Sequence, residues 1–116
     1  MEQDRNRDKR LNTRHLNLTG KLPGKLFSPE KQAYITARAI DVSKGGMCIL
    51  IENSLPRGCQ LWMLLDGNYI KFEVSNCRRS SQEKNLWRCG LSRIDTNINV
   101  IELFENNGCF NKAYST

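Results

Sequence analysis

The sequence predicts an all-β domain: six short antiparallel strands curving into a barrel, a short C-terminal α-helix, and a flexible N-terminal arm. Three observations carry this prediction. Apolar and β-branched residues cluster or alternate over short runs bounded by Gly, Pro, Asn, Asp and Ser. Near the C-terminus Ile98, Ile101 and Phe104 recur at helical spacing instead. Met1 to His15 is almost purely polar and has no apolar periodicity. Many short strands joined by tight turns are the pattern of a barrel, which leaves no strand edge exposed.

At 116 residues the chain makes one small domain with one modest core, residues 16–116, and an arm, residues 1–15. Lys and Arg outnumber Asp and Glu by 18 to 12, a formal charge of +6, which favours polyanionic ligands, nucleic acid or anionic surfaces. No apolar run is long enough to span a bilayer, and the charged N-terminus lacks the hydrophobic stretch of a signal peptide. Cys48, Cys59, Cys77, Cys89 and Cys109 are odd in number and form no Cys-x-x-Cys pair, so they read as reduced thiols of a cytoplasmic protein. Only His15 is available to complete a Cys/His metal set, and its neighbourhood lacks ligand spacing.

Leu16 to Phe27 places four leucines between Gly20, Pro23 and Gly24 and reads as a broken first strand. Tyr34 to Ile40 is the second, with Ile35, Ala37 and Ala39 on one face. Met47 to Ile51 is continuously apolar, hence covered on both faces. Gln60 to Leu65 and Tyr69 to Asn76 form a hairpin about Asp66-Gly67, because a type I′ turn needs φ > 0 at its two central positions. Arg78 to Asn85 is a polar loop and Leu86 to Ile94 the last strand. Asp95 or Thr96 then caps a helix from Asn97 to Asn106, which Gly108 stops.

Between the second and third strands lies Asp41-Val42-Ser43-Lys44-Gly45-Gly46. Asp and Ser side chains accept hydrogen bonds from nearby backbone N–H groups, and paired glycines supply φ > 0, so such a turn can form an anion-binding nest. The same residues also serve as an ordinary Asx-turn joining two strands. Upstream stands Arg10-Leu11-Asn12-Thr13-Arg14, two guanidiniums whose planar forks fit phosphate or the O6/N7 edge of guanine.

The order, separation and strand context of Arg-x-x-x-Arg and Asp-x-Ser-x-x-Gly resemble the PilZ family of bacterial cyclic di-GMP receptors. The likeness extends from Arg10 to the C-terminal helix. It implies a PilZ-type barrel and no catalysis. Arg10 and Arg14 would grip phosphate and guanine, and Asp41, Ser43 and Gly46 would cradle the ligand. Lys9, just before the first arginine, leaves open whether one ligand or an intercalated dimer binds. Gly45, Arg78 and Arg79 are weaker candidates, the two arginines equally readable as solvated loop charges; Arg38 and Lys44 are weaker still. The resemblance further implies an effector that orders its arm over the ligand and signals to a partner in motility, biofilm or virulence control.

Two other readings stand beside it. One is an adaptor that works through protein contacts without ligand. The other is a small basic barrel for single-stranded nucleic acid, which needs aromatic platforms interleaved with lysines; Trp62, Tyr69, Phe72 and Trp87 are present without dense interleaving. No nucleophile stands beside a base, and no carboxylate pair or metal cluster marks an enzyme.

Overall fold

A computed structural model describes residues 18–111 of the protein. Its strands are β1 (Lys25–Ser28), β2 (Ala33–Ile35), β3 (Arg38–Ser43), β4 (Gly46–Ile51), β5 (Gln60–Leu65), β6 (Asn68–Arg79) and β7 (Trp87–Arg93). One helix follows, α1 (Val100–Asn106). The arm, residues 1–15, lies outside the described residues.

All seven strands join one antiparallel sheet in the order β2-β1-β5-β6-β7-β4-β3, curled into a half-barrel. The expected count of six is corrected to seven, because the segment read as one strand from Tyr34 to Ile40 is two. β2 lies at one edge of the sheet and β3 at the other. Only Thr36 and Ala37 separate them, so the facing ends are within ~11 Å, three peptide steps. The curl therefore brings the two edges close without a ladder between them.

The first strand is shorter than expected. Leu18 makes an isolated bridge with Phe110, and regular pairing begins only at Lys25. At Gly24 the chain passes so near β5 that a β-carbon would meet the Leu64 carbonyl oxygen at 2.1 Å. The Asp66-Gly67 hairpin forms as expected, with φ of 53° and 80° and Leu65 paired to Asn68. β6 runs on through Arg79, so Arg78 and Arg79 belong to a strand and not to a loop.

Inward side chains of both halves of the sheet, among them Leu26, Ile49, Leu61, Phe72 and Val74, form one core. α1 closes it with Val100 and Phe104, both fully buried, each contributing about 2–3 kcal/mol by removal from water. Its cap is Asn99, whose side chain accepts from the Glu102 N–H at 3.3 Å. The expected caps lie too early: Asp95 instead accepts from the Asn97 N–H at 2.9 Å, an Asx-turn that sets the approach.

Cys77 and Cys89, directly opposed on β6 and β7, are joined by a disulfide. This corrects the expectation of five reduced thiols and removes the thiol argument for a reducing compartment; Cys48, Cys59 and Cys109 are free. Among the described residues, no helix is long and apolar enough to cross a membrane.

Candidate functional site

Strand alternation would send Ala39 and Asp41 to the same side. Ala39 is buried in the core, yet Asp41 is not, because the β3–β4 register shifts between these two residues. This bulge re-aims Asp41 to the outer face, where Ser43 follows by simple alternation. Both residues therefore stand on a strand, and the turn proper is Lys44-Gly45, with Ser43 paired to Gly46.

The glycines do not work as the sequence suggests. Among the described residues the glycines with positive φ are Gly20, Gly58, Gly67 and Gly108, so neither Gly45 nor Gly46 builds a left-handed nest. Gly46 is required for a different reason: a β-carbon there would lie 2.1 Å from the Leu91 carbonyl oxygen of β7. The turn is also tied to the helix. The Lys44 carbonyl accepts from the Val100 N–H at 3.0 Å and from Arg93 Nη1 at 3.1 Å, and the Gly45 carbonyl accepts from the Arg93 N–H at 2.9 Å.

Asp41, Ser43, Gly45 and Gly46 line one cleft of about 300 Å³ on the outer face, whose far wall is Gly90 and Ser92 of β7 and Ser75 of β6. Its floor is open because Gly46 and Gly90 carry no side chain. A second bulge, between Val74 and Asn76, borders it, and the Ser75 hydroxyl donates to the Gly90 carbonyl at 3.0 Å. A neighbouring pocket of about 460 Å³ lies between β3 and the loop after β6, lined by Arg38, Leu50, Glu83 and Arg88. Asp41 lines both.

Two arginines converge beside this double cleft. Arg78 and Arg88 are opposite each other on β6 and β7, and Arg88 also faces Leu50 of β4. Their charges reach Cys48, the β4 residue paired with Asp41. Burial pushes the Cys48 thiol up, against the opposing pull of the Arg88 charge and its hydrogen bond; Asp41 adds to the rise and Arg78 opposes it. Cys48 is thus a neutral thiol between a carboxylate and two guanidiniums. Arg38 is held by Glu83 through both carboxylate oxygens, one at 2.8 Å, an exposed pair that pins the loop over the second pocket.

The structure thus gathers Asp41, Ser43, Gly45 and Gly46, and puts Arg78 on β6, beyond the intervening β7. Lys9, Arg10 and Arg14 lie outside the described residues. Arg88 was missed by the sequence reading. Alternation in Arg88-Cys89-Gly90-Leu91-Ser92 does mark it as outward, but only the register of β7 against β4 and β6 brings it to this site. Comparison of the chain with protein-family models, with curated proteins and with solved structures found no match.

Proposed function

We infer that the chain is a receptor module for cyclic di-GMP, a ligand with two phosphates and two purines, acting by binding and not by catalysis. The observation that carries this reading is the cleft where Asp41 and Ser43, aimed outward by the β3 bulge, face a floor left open by Gly46 and Gly90. Its size, with the adjoining pocket, falls within the ~300–1,000 Å³ of small-ligand sites. Arg88 and Arg78 supply cations beside it, and Asp41 supplies an acceptor suited to the N–H edge of guanine.

Arg10 and Arg14 complete the set. Leu18 enters the fold beside Phe110, just past α1, whose opposite end meets Lys44. The helix is ~10 Å long, and Arg14 lies within ~14 Å of chain from Leu18. Closure of the arm over a ligand would change the surface offered to a protein partner, the basis of a signalling role.

Isothermal titration of the full chain with cyclic di-GMP, with GMP as control, tests this. Binding at micromolar or tighter affinity is expected, weakened by about 1.5–3 kcal/mol in Arg10→Ala and in Arg14→Ala. A folded chain that does not bind, or unchanged affinity in both variants, overturns the assignment.

A further inference from the structure

Away from the cleft, on the outer face of the other half of the sheet, four aromatic rings from four strands form one patch. Register alone builds it: Tyr34 of β2 lies opposite Phe27 of β1, Phe27 opposite Trp62 of β5, and Trp62 opposite Lys71 of β6. Phe27 is central, with ring centroids 5.3 Å from Tyr34, 6.4 Å from Trp62 and 6.2 Å from Tyr69. Trp62 and Tyr69 are 5.3 Å apart. Tyr34 remains 55% exposed and Tyr69 46%, the two largest exposures among the bulky hydrophobic side chains described.

Ammonium groups flank the rings. Lys71 Nζ stands 4.6 Å from the Trp62 ring and Lys25 Nζ 5.9 Å from that of Tyr34. Glu73 is one position along, across from Gln60, at the margin. A cluster of tilted, partly exposed rings flanked by cations matches a ligand that carries π-faces and negative charge alternately along its length. A second copy of the chain fits less well, because a two-fold contact over the rings would bring the Lys25 and Lys71 ammoniums of both copies into one interface and desolvate four like charges.

We propose that this face binds single-stranded nucleic acid, with bases stacking on Tyr34 and on the Trp62–Tyr69 pair and phosphates meeting Lys25 and Lys71. Each ammonium swings from its ring to a phosphate as a base takes its place. The lysine–aromatic interleaving is invisible along the chain, since Lys25, Tyr34, Trp62 and Lys71 come from four separate strands. The site is independent of the cyclic di-GMP cleft.

The test is fluorescence anisotropy of the full chain with a fluorescein-labelled ten-nucleotide oligo-dT. Tyr34→Ala and Tyr69→Ala are each expected to weaken binding about tenfold. Phe at either position keeps the ring and the affinity. Lys71→Gln lowers the slope of log affinity against log salt by about 0.7. Excess cyclic di-GMP leaves the oligonucleotide affinity unchanged, which separates this site from the cleft. Absence of binding by the unmodified chain overturns the proposal. So does binding that survives loss of both tyrosines, which would rest on basic residues elsewhere, or competition by cyclic di-GMP. Self-association that disappears with the tyrosines, without oligonucleotide binding, overturns it in favour of a contact between copies.

Discussion

Gly46 and Leu91 meet backbone to backbone: a β-carbon on Gly46 would lie 2.1 Å from the Leu91 carbonyl oxygen. Gly46 is therefore needed to hold β4 against β7 under the cleft. Gly45, whose added β-carbon would meet nothing beyond its chain neighbours nearer than Arg93 Nε at 3.8 Å, has room to spare. Gly46→Ala is expected to cost about 3 kcal/mol and Gly45→Ala less than about 1 kcal/mol, as read by urea denaturation. Equal effects would show that the close approach does not limit the fold.

The bond between Cys77 and Cys89 links β6 to β7 immediately beside the Arg78–Arg88 pair. Thiol titration of the unfolded protein without reductant should find three free groups, Cys48, Cys59 and Cys109, and five after reduction. The residues it joins are 12 apart, so reduction should lower stability by about 2–3 kcal/mol if chain entropy governs.

Arg88 is the residue that the fold adds to the site. Arg88→Ala should weaken cyclic di-GMP binding by about 1.5–3 kcal/mol by calorimetry, and Arg88→Lys should recover only part of the loss, because an ammonium lacks the planar fork.

Glu83 competes for Arg38. Since both partners are exposed, Glu83→Gln should change stability by less than about 1 kcal/mol. The same substitution frees the Arg38 guanidinium in the pocket shared with Arg88 and should tighten binding of an anionic ligand in the same titration.

Burial raises the thiol pKa of Cys48, Cys59 and Cys109, so the fold favours their protonated forms. The stability this contributes is complete below the ordinary thiol value, about 8.5, and is lost as pH rises through the higher folded-state values. Alkylation of Cys48 by iodoacetamide, followed by mass spectrometry, should be slower than in the unfolded chain at pH 8 and should accelerate at more alkaline pH. A Cys48 as reactive as the unfolded control at pH 8 contradicts the raised pKa.

Several elements were legible in the chain because their causes are local. The type I′ hairpin needs only φ > 0 at Asp66 and Gly67. The helix announces itself by the spacing of Ile101 and Phe104, and the continuous run from Met47 to Ile51 marks a strand covered on both sides, with Met47, Ile49 and Ile51 in the core and Leu50 facing the loop after β6. Asp41, Ser43 and Gly46 were named from their pattern and do line one cleft.

Other features depended on pairing between distant residues, which periodicity does not encode. Nothing local reveals that Thr36 and Ala37 carry the chain from one sheet edge to the other, because that break is set by which strands β2 and β3 pair with. The bulge that turns Asp41 outward exists only against β4, and the need for glycine at position 46 only against β7. Register likewise joins Cys77 to Cys89, brings Arg88 to the cleft, and assembles the rings of Phe27, Tyr34, Trp62 and Tyr69. The sequence by itself marked the β-rich segments, the Asp66-Gly67 hairpin and the helix, through turn propensity and apolar spacing. The tertiary structure alone decided which residues are neighbours, because a one-residue change in register moves every side chain of a strand to the opposite face.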